Sequence, residues 1–209
     1  MKRLLAFVFG LMLIAGLAGC RKKSPEETLM AAETKLQRGD LIGARVEFRE
    51  ILEKNPDSPV APQARLRLAQ CYLSERDFEQ AMPHLEKIVE SVGLSDERAQ
   101  TALDLLFQCY FNLQRYDDGL QAAEQYLKDL PPDNDFAFQM RCNVTELLFA
   151  DGRTSEGLNT LVSLMESGSS HEQRMYAAER IVYASVRNQD YDRAIKTYAD
   201  YIEKYPDFE

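Results

Sequence analysis

A five-fold internal repeat constrains the fold of this chain more than any other feature of its 209 residues. Five stretches align when a small residue in each is taken as an anchor, and the anchors are Ala44, Ala81, Gly119, Gly157 and Ala194. The anchors lie 37, 38, 38 and 37 residues apart. Self-similarity at a fixed period of about 20 to 50 residues is the signature of stacked repeat proteins. The spacing therefore predicts one structural unit copied five times.

Each unit shows the periodicity of helices. The apolar residues of the last unit recur at intervals of one helix face, and they are Tyr191, Ala194, Ile195, Tyr198, Tyr201 and Ile202. A second helical stretch precedes each anchor, over residues 26–37, 62–73, 97–113, 137–149 and 172–186. Short polar turns separate the two helices of a unit. Pro56, Pro131 and Pro206 end three of the second helices, because the residue before a proline disfavours helix.

This helix–turn–helix pattern resembles the tetratricopeptide-repeat family. The small residue of that family's second helix corresponds to the five anchors, and its preceding aromatic residue corresponds to Phe78, Tyr116 and Tyr191. Thr154 departs from the aromatic pattern, so the fourth repeat matches least well. The resemblance implies an all-α, right-handed solenoid of about five repeats in a domain at residues 25–209. The repeats are expected at about residues 25–58, 59–95, 96–133, 134–171 and 172–209.

The start of the chain has the pattern of a secretory signal. Lys2 and Arg3 precede an uncharged run at residues 4–19. This run is shorter than the roughly 20 residues of a membrane-spanning helix and is typical of a signal peptide, here residues 1–19. The sequence L-A-G-C, which ends at Cys20, resembles a bacterial lipobox, whose cysteine is acylated and begins the mature chain. Residues 20–24 would then be a lipid-anchored tether; an ordinary cysteine in an uncleaved anchor is the alternative.

A lipobox followed by about five such repeats resembles the BamD-type outer-membrane assembly lipoproteins and the Tol-associated periplasmic coordinators of cell division. Arg21 stands where many inner-membrane lipoproteins carry Asp, so the resemblance implies an anchor on the periplasmic face of the outer membrane. It implies a non-catalytic scaffold that binds protein partners of the cell envelope, in outer-membrane protein assembly. A pilotin-like or division-coordinating lipoprotein is the alternative, and a lipoprotein that binds a small ligand is a further one.

The family's partner groove is lined by the first helices of the repeats. At matching offsets from the anchors, the resemblance implies the partner-binding residues Gln63, Leu66, Gln70, Asp104, Gln108, Phe111, Asn112, Glu146, Phe149 and Tyr183. Cys142 falls on the same predicted face. The alternative for Phe111 and Phe149, eight residues before their anchors, is a place in the core between repeats.

The last predicted helix carries an apolar face with no polar cap after it. Repeat arrays need such a cap to cover the last apolar surface. Ile195, Tyr198 and Ile202, together with Tyr201, are therefore expected to form a contact surface for a partner or for a second copy of the chain.

Several kinds of chemistry find little support in the sequence. The net charge of −9 suits nucleic acid poorly, because that binding depends on cationic side chains. His84 and His171 are far apart in the array and have no Cys or His at metal-ligand spacing. No glycine-rich phosphate loop occurs. We therefore expect no enzyme, no cofactor, no metal and no nucleic-acid partner.

Three cysteines and one proline carry structural expectations. Cys71 and Cys109 occupy equivalent places in neighbouring repeats and are expected to be small buried residues, with a disulfide as the alternative. With Cys142 they make an odd number, so at most one pair can form. Pro83 lies early in a predicted second helix, which is expected to start late or to bend there.

Overall fold

The computed structural model describes residues 22–128, 130–131 and 134–205, so the predicted signal peptide and Cys20 lie outside the described residues. Within these ranges the chain forms ten α-helices and no β-strand. The helices are α1 (Pro25–Gln37), α2 (Leu41–Lys54), α3 (Ala61–Ser74), α4 (Phe78–Val92), α5 (Glu97–Asn112), α6 (Tyr116–Leu127), α7 (Asp135–Ala150), α8 (Thr154–Ser167), α9 (His171–Arg187) and α10 (Tyr191–Lys204). They alternate between the first and the second helix of a pair, and the predicted all-α fold is confirmed.

The same turn joins the two helices of every pair. The residue five positions before each anchor has a positive φ, and these residues are Gly39, Arg76, Gln114, Gly152 and Gln189. In the first turn, the N–H of Asp40 donates to the carbonyl of Lys35 and the N–H of Gly39 donates to the carbonyl of Leu36, both at 2.9 Å. This is the Schellman arrangement, which usually has glycine at the positive-φ position. Three of the five turns hold a larger residue there, so repeat geometry overrides local preference.

Aspartate side chains start three of the second helices. Asp40, Asp77 and Asp190 precede α2, α4 and α10, and each carboxylate accepts the N–H three residues further on. A cap of this kind contributes about 1 kcal/mol to helix stability. The cap at Asp77 corrects one half of the expectation for Pro83: α4 begins at Phe78, so the late start is wrong, whereas a bend at Pro83 stays a prediction. Pro83 lies on the exposed side of the helix, where the carbonyl that it leaves without a donor can bind water.

The chain divides into two compact units, Met1–Cys71 and Tyr72–Glu209, and α3 crosses the boundary between them. In the first unit α1 packs against α2. Ala32 of α1 and Phe48 and Ile51 of α2 are fully buried between them. An ion pair ties the same two helices together, with Lys35 Nζ 2.8 Å from Glu47 Oε1.

In the second unit each helix from α4 to α10 packs against the next one, and α5 also packs against α7. Two first helices of neighbouring pairs therefore lie side by side. The core of this unit includes the fully buried side chains Leu85, Ile88, Leu103, Leu106, Met140, Leu147, Leu161 and Ile181.

Two of the anchors, Gly119 and Gly157, are small because other side chains come very close to them. A Cβ atom added at Gly157 would lie 2.7 Å from Cε1 of Phe149, and one added at Gly119 would lie 2.7 Å from Cδ1 of Leu147. Real Cβ atoms essentially never make such contacts. At these two anchors, the residue type that revealed the repeat marks a close contact with the neighbouring helix α7.

Candidate functional site

A cavity of about 400 Å³ opens between α5 and α7; we call it the α5–α7 cavity. It is lined by Asp104, Phe107, Gln108, Phe111, Asn112, Gln139, Asn143, Glu146 and Leu147. Phe107 and Leu147 are buried, whereas the carboxylates and side-chain amides lie closer to solvent. Five of the lining residues are among those predicted to bind a partner: Asp104, Gln108, Phe111, Asn112 and Glu146.

The polar side chains of the α5–α7 cavity hold one another in place. Asn143 Nδ2 donates to Asp104 Oδ1 at 3.0 Å, across the two helices. Gln139 Nε2 donates in turn to Asn143 Oδ1 at 3.4 Å. Burial raises the pKa of Asp104 above its ordinary value, and the hydrogen bond from Asn143 opposes that rise. The cavity therefore contains a partly buried carboxylate in a fixed orientation.

A second cavity of about 400 Å³, the α7–α9 cavity, continues the first. It is lined by Phe111, Glu146, Phe149, Ala150, Thr154, Arg180, Tyr183, Ala184, Arg187 and Asn188. Phe111 and Glu146 line both cavities, so the two adjoin, and we call them together the groove across α5, α7 and α9. The predicted residues Phe149 and Tyr183 belong to this part of the groove.

An ion pair connects α7 to α9 inside the groove. Arg180 Nη2 contacts Glu146 Oε1, and the Arg180 guanidinium also lies 5.6 Å from the centroid of the Tyr183 ring. This distance is within the range of a cation–π contact. Arg187 lines the same cavity from the exposed end of α9 and forms no ion pair with a carboxylate of the described residues.

Three predicted partner-binding residues lie on α3, in the unit Met1–Cys71, and are considered apart from the groove. Gln63 and Gln70 are half-buried, and Gln70 Oε1 accepts a hydrogen bond from Arg67 Nη1 at 3.1 Å. The Leu66 side chain is 7% exposed and so offers little surface to a partner. Their role in binding stays a prediction.

Two sequence models described as tetratricopeptide repeat match this chain, over residues 35–104 and 163–207, which together make up more than half of it. The chain is a tetratricopeptide-repeat protein. No curated protein sequence matches it.

Solved tetratricopeptide-repeat structures share the fold of this protein. Repeats of a putative kinesin light chain from Podosopora anserina are 16% identical, with a TM-score of 0.63 over 87% of this chain and 95% of that one. MamA from Desulfovibrio magneticus RS-1 is 13% identical, with a TM-score of 0.60 over 86% and 93%. YrrB, described as a TPR protein with an unusual peptide-binding site, is 15% identical, with a TM-score of 0.56 over 90% and 89%. These similarities confirm the tetratricopeptide-repeat fold.

Two polar residues that join the helices across the groove, Asn143 and Arg180, were not predicted. Asn143 and Arg180 each lie fourteen residues before an anchor, one position after the offset that placed Cys142 on the groove face. That placement of Cys142 is wrong, because its side chain is buried in a core cluster with Leu158 and Ile181. A difference of one position is about 100° of helix rotation. Packing against α8 and α9 sets this rotation, and no signal within the α7 sequence reports it.

The predicted terminal surface of the tetratricopeptide-repeat protein is exposed on α10. Ile195, Tyr198 and Ile202 are 69%, 42% and 65% exposed, and Tyr191 extends the same stripe. We call these four residues the α10 stripe. Tyr201 was expected at this surface, but it is buried and its hydroxyl lies 3.3 Å from His171 Nδ1. The stripe as a contact surface stays a prediction, and residues 206–209 lie outside the described part of the chain.

The cysteines Cys71, Cys109 and Cys142 are all buried. Cys71 and Cys109 are buried, as predicted, and Cys109 and Cys142 carry free thiols. Burial raises the pKa of both Cys109 and Cys142 to about 12. A thiol with so high a pKa is almost entirely protonated near neutral pH and is therefore a poor nucleophile.

Tetratricopeptide repeats generally act as non-enzymatic interaction scaffolds. Over the described ranges, no cluster of three or more His, Cys, Asp or Glu side chains is arranged to hold a metal ion. His84 stacks on the Tyr72 ring, with centroids 5.8 Å apart. None of the helices in residues 22–128 and 134–205 combines the length and the apolar composition needed to cross a bilayer.

Proposed function

We propose that this tetratricopeptide-repeat protein is a non-catalytic scaffold that binds a segment of a partner protein in its groove. The observation that carries the proposal is that the α5–α7 and α7–α9 cavities adjoin at Phe111 and Glu146, which line both. An extended peptide presents both donors and acceptors along its backbone, and side-chain amides such as those of Gln108 and Asn112 can satisfy both. The peptide-binding site described for YrrB, which has the same fold, also supports the proposal.

Site-specific photo-crosslinking in cells tests the groove. A photoreactive amino acid is placed at Gln108 of α5 or at Tyr183 of α9, which line different cavities. Gln121 of α6 is the matched control, because it is exposed and lines neither cavity. We expect both groove positions to capture the same partner, identified by mass spectrometry, and Gln121 to capture none. Equal capture from all three positions would contradict the proposal.

We also propose that Cys20 is acylated and holds the protein on the periplasmic face of the outer membrane. The L-A-G-C sequence at the end of an uncharged run supports this. Stable anchoring needs at least two acyl chains, which a triacylated cysteine supplies. Because α1 begins at Pro25, a tether of five residues at roughly 3.5 Å each would keep the first repeat within about 20 Å of the anchor.

Metabolic labelling with a palmitate analogue tests the anchor. The parent protein should incorporate label and sediment with outer-membrane fractions, whereas Cys20→Ser should do neither. Cys71→Ser is the control, because Cys71 is buried in the repeat region and should not affect labelling. Label that persists in Cys20→Ser would contradict the proposed site.

The proposed client is the machinery that assembles outer-membrane proteins. A secretin ring, for a pilotin-like protein, and the cell-division apparatus are the alternatives. The identity of the protein captured at Gln108 and Tyr183 distinguishes among the three. A component of the outer-membrane assembly machinery is the expected capture, and a secretin or a division protein would replace the proposed client with one of the alternatives.

A further inference from the structure

Resting on the proposed function of the groove, we propose that it selects partner segments by the order of their side-chain charges. The bound segment places a cationic side chain beside Asp104, an apolar side chain over Phe111 and an anionic side chain beside Arg187. The argument rests on the different charges of the two cavities and on the aromatic ring that they share.

The α5–α7 cavity is lined by two carboxylates, Asp104 and Glu146, and by no cationic side chain. Glu146 is already paired with Arg180 of α9. Asp104 therefore presents the uncompensated negative charge of this cavity, with one of its oxygens oriented by Asn143. A carboxylate that burial partly desolvates gains from a cation placed next to it, so a Lys or Arg side chain suits this cavity.

The α7–α9 cavity has the opposite character. Arg180 and Arg187 line it together with Glu146, and the ion pair between Arg180 and Glu146 neutralises two of these three charges. Arg187 remains as a cation without a carboxylate partner in the described residues. A guanidinium binds a carboxylate with two parallel hydrogen bonds, so an Asp or Glu side chain suits this end of the groove.

Phe111 marks the middle of the groove, since it lines both cavities. Its side chain is half exposed and packs edge-on against the Tyr116 ring, with centroids 6.4 Å apart. Phe149 adds a second ring on the side of α9. An apolar side chain of the partner would bury surface against these rings. The loss of side-chain entropy would be small, because packing already orders the two rings.

The helix geometry sets the distance between the two charged positions. The path from α5 to α9 crosses two helix spacings of roughly 8 to 10 Å each. Asp104 lies 15 residues before its anchor and Arg187 lies seven before its own, which adds about 12 Å along the helix axes. The two charges are thus roughly 20 Å apart. An extended chain covers this distance in about six or seven residues.

Fluorescence anisotropy with a designed peptide panel tests the inference, using the full chain in detergent. Each labelled peptide carries leucine midway between two variable positions six residues apart, and serine elsewhere. The variable pairs are Lys then Glu, Glu then Lys, two Lys, two Glu, and two Gln. One of the two mixed-charge peptides should bind about tenfold more tightly than the Gln peptide at low salt. This advantage should shrink as salt screens the charges.

Variants that remove one charge each assign the charges to their positions. Asp104→Asn keeps an acceptor for Asn143, so it should fold, and it should lose the preference for Lys over Gln at the cationic position only. Arg187→Gln should lose the preference for Glu over Gln at the anionic position only. Asp192→Asn and Lys196→Gln, on the exposed surface of α10, are matched controls that should leave every affinity unchanged.

The outcomes separate this inference from the proposed function. Equal binding of all five peptides would overturn charge selection and leave the groove as a peptide-binding site. Charge preferences that survive in both Asp104→Asn and Arg187→Gln would also overturn it. Absence of binding by every peptide would overturn both the charge selection and the proposed binding of partner segments.

Discussion

The groove and the α10 stripe belong to the same unit and arise from the same helical periodicity, yet they offer different chemistry. Groove side chains are joined in pairs across helices, Asn143 to Asp104 by a hydrogen bond and Arg180 to Glu146 by an ion pair. The stripe consists of two tyrosines and two isoleucines on a single helix, Tyr191, Ile195, Tyr198 and Ile202. Charged groups held in fixed positions make binding selective. Exposed apolar area contributes affinity but little selectivity, because the hydrophobic effect is not directional.

The difference follows from what covers each helix. The first helices α5 and α7 lie side by side and are backed by the second helices, so their groove residues are held from behind. The described residues contain no helix after α10 to cover its outer face. Residues below the surface of such a groove should react slowly with chemical reagents and should tolerate few substitutions. The α10 stripe should react readily and tolerate many changes. Four predictions test this contrast.

The largest difference is expected in thiol reactivity. Cys142 lies beneath the groove with a pKa of about 12 against an ordinary value of 9.0. Such a shift lowers the thiolate fraction at pH 8 by about a thousandfold. Iodoacetamide should therefore modify Cys142 about a thousand times more slowly than the cysteine of Ile195→Cys on the stripe. Peptide mass spectrometry measures both rates, and both cysteines should react alike in guanidinium chloride. Modification rates within tenfold of each other in the folded protein would show that the reagent reaches Cys142 beneath the groove.

An Ile→Ala substitution should lower the free energy of unfolding much more below the groove than on the stripe. Ile181 of α9 is fully buried in the cluster that contains Leu158 and Leu161, whereas Ile195 of α10 is largely exposed. Ile181→Ala should lower the free energy of unfolding by about 2 to 5 kcal/mol, because it removes buried methylene groups and leaves a cavity. Ile195→Ala should change it by about 0.5 kcal/mol or less. Urea unfolding compares the two, and similar losses would mean that the stripe is packed against something.

The third prediction concerns the stability cost of enlarging an anchor residue. Gly157 contacts the Phe149 ring of the groove, whereas the equivalent anchor in α10 is already alanine, at Ala194. Gly157→Ala should cost about 1 to 2 kcal/mol of stability, since crowding of the ring exceeds the gain in helix propensity. In a Phe149→Leu background Gly157→Ala should cost much less than in the parent, because the crowded ring atoms are gone. Thermal unfolding measures both variants; a single variant as stable as the parent would show that the ring moves freely.

Much of this fold could be predicted because its determinants are local. The predicted first helices at residues 26–37 and 97–113 are found at Pro25–Gln37 and Glu97–Asn112. Apolar periodicity and small anchors lie within each repeat, so the sequence displays them directly. The groove residues Asp104, Gln108 and Phe111 followed from the offset to the anchor.

The errors arose where long-range packing sets the structure. Cys142 and Asn143 are neighbours in sequence, and the rotation of α7 against α8 and α9 determines which of them lines the groove. Tyr201 shares the apolar periodicity of the stripe but turns inward toward His171. The ion pair between Arg180 and Glu146 joins residues more than thirty positions apart, a pairing that no single repeat encodes.

The smallest expected change in stability concerns the charge of Asp104 in the groove; the α10 stripe contains no charged residue. Burial raises the pKa of Asp104, so the folded state binds more protons than the unfolded state, and stability decreases as pH rises through the folded pKa. At pH 7.5 the ionised carboxylate therefore costs stability. Asp104→Asn should raise the free energy of unfolding by about 0.5 kcal/mol or less, and the gain should narrow as pH falls toward 4.5. Asp192→Asn on the exposed side of α10 should show no such pH-dependent gain. Thermal unfolding across this range measures the difference. If Asp104→Asn is less stable than the parent at pH 7.5, the fold needs this charge. If it is more stable, the carboxylate lowers stability in the native protein, as charged groups at binding sites often do.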